Sequence, residues 1–170
     1  MYTTRIMTNA FIYNKSDLLL LHRSAKKAIH PGRWTGIGGH VEPNEMNSPA
    51  QSCLREIGEE TGLNAGDLAD FRLRYIILRQ RDTEIRQQYV YIARALTRQL
   101  GTTDEGTLRW VPIDGIFQLD LVPTTRLFLK HHCEAIKNYT GITVGVLNAT
   151  DDGGPNVQWV KLYDWEIDRI

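Results

Sequence analysis

The sequence predicts an α/β fold in one domain, with two long helices set around a mixed β-sheet. Three observations carry this. Stretches of β-branched and aromatic residues are interspersed with stretches of helical period over all 170 residues. No linker, repeat or low-complexity tract divides the chain, so residues 1–170 read as a single domain. An apolar share of 42% beside 24% charged residues is enough to build an interior without disulfides.

The elements follow in order. Thr4 to Tyr13 reads as a strand, Asn14-Lys15-Ser16-Asp17 as a turn, and Leu18 to Arg23 as a second strand. A Gly-rich loop runs from Pro31 to Gly39. A helix is expected from Ser48 to about Thr61, with Ser48 as N-cap, Pro49 at the first helical position and Gln51 completing a capping box. Gly62 and Leu63 supply its left-handed stop and the accompanying apolar contact. Phe71 to Gln80, Ile85 to Ala95 and Leu108 to Val111 read as strands, and Pro123 to Asn138 as the second helix. Ile142 to Leu147 and Val157 to Tyr163 flank the turn residues Asp151-Asp152-Gly153-Gly154-Pro155 and read as a C-terminal β-hairpin.

Composition removes whole classes of function. Lys and Arg number 20 against 20 Asp and Glu, so the chain lacks the basic excess that coats a nucleic acid polymer. Cys53 and Cys133 are far apart, which excludes zinc-finger and redox-pair spacings and suits two reduced thiols. Leu18 to Leu21, the longest apolar run, is too short to span a bilayer. A cytoplasmic protein with a small-molecule substrate is expected, with neither membrane nor nucleic acid as partner, as a monomer or a homodimer paired through the hairpin edge.

The chemistry concentrates in the first helix. Ala50, Cys53, Leu54 and Ile57 form its core-facing stripe. At ~100° per residue, Glu56, Glu59 and Glu60 lie on an arc beside that stripe. Like charges at this spacing cost a helix roughly 0.2–0.5 kcal/mol per pair, and they sit in its C-terminal half, where the dipole disfavours anions. Taken alone, the run reads as a solvated acidic face with an Arg55–Glu59 pair. Together with Gly38-Gly39 and Glu45 upstream, it reads as a site for a hard cation such as Mg²⁺. Glu60 is expected at an exposed helix edge.

Gly39, Glu45, Arg55, Glu56, Ile57, Glu59, Glu60, Gly62 and Leu63 resemble the Nudix box of the Nudix hydrolases. One spacing departs from it. Nine residues, Met46 to Leu54, separate Glu45 from Arg55 where the family usually has seven, and the extra two are expected in the loop at Met46-Asn47. The resemblance implies an α/β/α sandwich and hydrolysis of a nucleoside diphosphate linkage with Mg²⁺ or Mn²⁺. It implies metal ligation by the Gly39 carbonyl, Glu56, Glu59 and Glu60, catalytic roles for Glu56 and Glu59, and orientation of a carboxylate by Arg55. Residues 32–39 and the stretch from Thr103 to Asp114 resemble the MutT-like, oxidised-purine nucleoside triphosphatase branch. There the match of Glu105 implies a further metal ligand, against a plain turn carboxylate before Gly106.

The base-reading segment differs: Val122-Pro123-Thr124-Thr125 stands where that branch has a Trp and two acids, and Thr124 and Thr125 also suit a helix cap. Arg23 is a candidate phosphate contact, against a solvated Arg at a strand end, and Trp34, Tyr89 and Trp110 are candidate stacking rings, against the core positions that their type favours. The expected reaction is conversion of a nucleoside triphosphate, such as 8-oxo-dGTP, to monophosphate and pyrophosphate. The alternatives are an ADP-ribose-like nucleoside diphosphate sugar as substrate, or a non-catalytic nucleotide-binding module. Acids cluster from Glu42 to Glu60, and arginines from Arg72 to Arg98.

Overall fold

The computed structural model describes residues 1–135, 141–149 and 155–162. Its elements are β1 (Thr3–Asn14), β2 (Asp17–Arg23), β3 (Trp34–Thr35), α1 (Pro49–Thr61), β4 (Leu68–Arg81), β5 (Glu84–Ala95), β6 (Gly106–Pro112), α2 (Pro123–Ala135), β7 (Ile142–Ala149) and β8 (Pro155–Leu162). The far end of the predicted second helix, residues 136–138, the hairpin loop 151–154 and Tyr163 lie outside the described residues.

The strands form one mixed sheet in the order β3-β2-β1-β5-β4-β7-β8, with β6 paired to β2. β1 runs parallel to β5, β4 runs parallel to β7, and the other pairings are antiparallel. Side chains alternate across the pleat, so each central strand feeds two interiors. On one face Ala10, Ile12, Leu19, Leu21, Tyr91 and Ala93 meet Cys53 and Ile57 of α1. On the other, Phe11, Leu18, Leu20 and Val90 meet Phe128 and Leu129 of α2. This is the α/β/α sandwich that the sequence predicts. In β4 the parity breaks: Leu73 packs on the α1 side and Tyr75 on the α2 side, because a register shift lies between them.

α1 buries the predicted stripe, with Cys53 and Ile57 fully enclosed and Ala50 and Leu54 packed beside them. Gly62 closes the helix at φ 75°, its N–H donating to the Gly58 carbonyl at 2.9 Å. The predicted capping box does not form. The Ser48 side chain makes no cap hydrogen bond, because the chain enters α1 from a 3-10 turn at Pro43–Glu45 that leaves Ser48 at φ −141°, ψ 57°. The capping box belongs to that turn, between Glu42 and Glu45. Both cysteines are free; Cys53 is buried and Cys133 half-buried.

Candidate active site

The site lies where the sheet forks. β1 bonds β2 only from Ile12 to Asn14, yet follows β5 from Thr3 to Tyr13. Residues 34–41 fill the gap. Trp34 and Thr35 pair with His22 and Leu21 of β2. Further on, the Thr8 N–H donates to the Gly39 carbonyl at 2.9 Å, and the Val41 N–H to the Ile6 carbonyl at 3.1 Å. Backbone this close to β1 leaves no room for side chains. Gly38 has φ 149° and a Cβ on it would collide with the Thr8 carbonyl. A Cβ on Gly39 would lie 2.6 Å from the Glu56 carboxylate. The glycines therefore let the last turns of α1 close against the loop.

Arg55 organises what meets there. Its Nε and Nη2 donate to the two oxygens of Glu45, at 2.9 and 3.0 Å. Nη1 reaches Glu56 at 2.9 Å and Glu59 at 3.0 Å, and Nη2 also reaches the His40 carbonyl at 3.1 Å. A planar fork presents five N–H donors spread over three nitrogens in a fixed geometry, whereas a lysine carries three on a single atom. The hydrogen bonds from Arg55 hold the Glu45 carboxyl down at about 2, and those carboxylates raise the Arg55 pKa in return. The two extra residues of the loop form the turn at Met46-Asn47, so Glu45 keeps its partnership with α1.

Glu60 overturns one expectation. It is not at an exposed edge but 6% exposed, because the loop 36–39 lies over it; it accepts a hydrogen bond from the Gly38 N–H at 3.0 Å. Burial pushes its carboxyl up to about 8, opposed by the Gly38 hydrogen bond and assisted by the charges of Glu56 and Glu105. Burial raises Glu56 as well, against the pull of Arg55. Glu105 sits across the same cleft, paired with Lys27 Nζ at 2.5 Å. Sequence reasoning had not found Lys27, which has no spacing relation to Glu105.

Carboxylate and carbonyl oxygens at Glu56, Glu60 and Gly39 are the donors a hard divalent cation takes. Among the described residues no three acidic, histidine or cysteine side chains are gathered tightly enough to hold an ion as they stand. Glu59 is turned to Arg55, and Glu105 to Lys27. The donor chemistry fits, although Glu56 too is paired with Arg55.

The cleft beside these groups has a volume of about 780 Å³, a size that takes a nucleotide. Of its acids, Glu42, Glu56, Glu59 and Glu60 come from α1 and the loop before it, and Asp104 and Glu105 from the loop between β5 and β6. The wall made by β1, β4, β5 and α2 has none and carries Arg5, Arg79, Arg86, Thr124 and Thr125. Arg23 lines the cleft, with Nε donating to the Ile29 carbonyl at 3.0 Å. Trp34 does not line it: its ring packs against His22 at 4.6 Å, on the α2 side of the sheet. Tyr89 and Trp110 pack on the α1-side core. Thr125 is buried, with its hydroxyl 3.2 Å from that of Thr35.

Comparison with known proteins places these observations. A family model described as the NUDIX domain matches residues 3–132. An oxidized purine nucleoside triphosphate hydrolase of Danio rerio is 26% identical over 119 residues, covering 68% of this chain and 71% of that protein. The crystal structure of a MutT protein from Bacillus halodurans superposes with a TM-score of 0.71 at 20% identity, over 91% of this chain and 97% of that one. A MutT protein from Methanosarcina mazei Go1 gives 0.64 at 25% identity, over 81% and 98%.

Proposed function

Since this chain belongs to the NUDIX family and is a nucleotide pyrophosphohydrolase, we propose that it cleaves a nucleoside 5′-triphosphate to the monophosphate and pyrophosphate with Mg²⁺. The observation that carries the reading is the Arg55 fork. One guanidinium fixes Glu45, Glu56 and Glu59 and the His40 carbonyl, so the carboxylates at the mouth of the cleft are held ready beside Gly39. The name of the Danio rerio relative supports the triphosphate class.

Mg²⁺, when bound, neutralises the polyphosphate and lowers the pKa of a coordinated water. The chain's own residues do the rest. Burial raises the carboxyls of half-buried Glu56 and buried Glu60 above their ordinary values, and a raised carboxyl holds a proton more readily. Glu56 accepts a proton from the attacking water, while Arg55 keeps its carboxylate aimed at the cleft. Arg23, which lines the cleft, offers positive charge to the phosphates. Glu105 would join Glu56 and Glu60 in holding the ion once its pairing with Lys27 opened.

The test is a panel of canonical and oxidised nucleoside triphosphates with Mg²⁺, products identified by phosphorus NMR. Monophosphate with pyrophosphate supports the reading. Release of a sugar phosphate from ADP-ribose alone moves the substrate class, and hydrolysis of no nucleotide overturns the reading. Carboxyl recognition of a purine edge is absent from this wall of the cleft, since Thr124 and Thr125 occupy it.

A further inference from the structure

Three arginines stand in one row across the sheet. Arg5 of β1 is the register partner of Arg86 in β5, and Arg86 is the partner of Arg79 in β4. Partners directly opposite share a face at the ~4.8 Å strand spacing, and like charges so placed destabilise a sheet. A sheet needing only solubility gains nothing from that arrangement. All three side chains line the cleft.

One carboxylate serves the row. Glu84 accepts a hydrogen bond from Arg86 Nε and pairs with Arg5 Nε at 3.1 Å. Both guanidinium groups are thus fixed by one edge. Among the described residues, Arg79 has no acidic partner, and the row keeps an excess of positive charge. The field reaches across the cleft: His30 is lowered from its ordinary pKa by burial first, then by Arg33, Arg23, Arg79 and Arg86. Gln88 and Asn9 continue the same wall toward the carboxylates, and Asn9 Oδ1 is a buried oxygen without a partner among the described residues.

The spacing completes the argument. Gly38 and Gly39 press on Thr8 and Asn9 of β1, and Arg5 lies four residues before Asn9 on the same strand. At ~3.3 Å per residue the arginine row is roughly 13 Å from the carboxylate end, along one wall. A nucleotide whose diphosphate meets the carboxylates and whose ribose lies along this wall brings a ribose substituent within reach of the arginines. We propose that the row Arg5–Arg86–Arg79 binds a second phosphate, carried on the ribose of the nucleotide, so that the preferred substrates are nucleoside triphosphates with a 2′- or 3′-phosphate. This deepens the reading of the carboxylate end as the diphosphate site and depends on it. Arg is the residue suited to the task, because its fork matches a phosphate bidentately and stays charged.

The experiment separates the two ideas by measuring binding without turnover. The full chain is titrated calorimetrically in EDTA, near neutral pH, with AMP, adenosine 2′,5′-bisphosphate and adenosine 3′,5′-bisphosphate. One bisphosphate is expected to bind about tenfold or more tightly than AMP, with that ratio weakening as salt rises. The ratio should collapse in Arg79→Gln and be largely restored in Arg79→Lys, with thermal melting reporting that the variants fold. Arg5→Gln, changed two strands away in the same row, is the second variant if Arg79→Gln does not fold. A smaller ratio in the unmodified chain, or a ratio that survives both glutamine substitutions, overturns the proposal. Because no hydrolysis is measured, a chain that cleaves no triphosphate yet prefers a bisphosphate refutes the reaction and leaves the phosphate site standing.

Discussion

Acid should destabilise this fold through one imidazole remote from the catalytic cleft. His132 of α2 is 1% exposed, with Nδ1 hydrogen-bonded to Tyr75 Oη at 3.2 Å and Nε2 without a partner among the described residues. Burial lowers its pKa from 6.5 to about 3, and the positive charge of Arg74 and His131 adds to the effect. The folded chain therefore refuses a proton that the unfolded chain accepts. Stability from this group is complete above the unfolded pKa and is lost as pH falls below it, until the folded group titrates near 3. Between about pH 7.5 and pH 5, a single such histidine removes roughly 2 kcal/mol. For a chain of this size that is a fall in Tm of roughly 4–8 °C. Carboxylates and His131 titrate too, so the clean measurement is a difference. Thermal melts of the unmodified chain and of His132→Leu are recorded over the same pH range, and the variant should lose roughly 2 kcal/mol less on acidification. Parallel profiles for the two chains would refute the assignment of acid sensitivity to His132.

Three further outcomes concern the active site. Glu60→Gln keeps an oxygen for the Gly38 N–H but removes the anion, so kcat should fall roughly a hundredfold or more while Tm moves little; near-normal turnover in Mg²⁺ would count against Glu60 as a ligand. Arg55→Lys cannot span Glu45, Glu56, Glu59 and His40 together; steady-state kinetics should show roughly a tenfold loss in kcat/KM, and equal activity would show that the fork is dispensable. Gly39→Ala places a methyl group against the Glu56 carboxylate and should lower kcat more than it raises KM; an unchanged kcat would mean that the carboxylate has room to retreat.

What the sequence disclosed, and what it withheld, divides along local and long-range physics. α1 was legible because its evidence is local: Pro49 opens it, Gly62 stops it, and Cys53 and Ile57 recur at its period. The resemblance placed Arg55, Glu56 and Glu60 around one cleft for the same reason, since they ride on that helix. Ser48 misled because its motif fits a cap, while the 3-10 turn before it sets a backbone that aims the hydroxyl elsewhere. The burial of Glu60 was invisible from a helical projection, because the covering loop bonds to β1, remote in sequence from α1. β3 escaped because Trp34 and Thr35 have no alternation of their own and borrow their shape from β2. By type alone Trp34 suited a stacking ring or the core, and the sheet carries it to the core on the α2 side. The arginine row is the extreme case: Arg5, Arg79 and Arg86 become neighbours only through strand register, which no spacing in the chain announces.

The uninterrupted pairing of β1 with β5 from Thr3 to Tyr13 has a consequence for how specificity changes. The strand lies beneath both the glycine loop and Arg5, so it acts as a rigid ruler whose two marks are set four residues apart. Ruler and marks share a strand paired without a break to β5. A chain with this architecture selects by length, and a substrate too short to touch both marks forfeits one of them. Retuning the enzyme for a longer or shorter nucleotide then calls for moving a basic side chain by two residues along β1, the smallest step that keeps it on the same face, and not for reshaping the cleft.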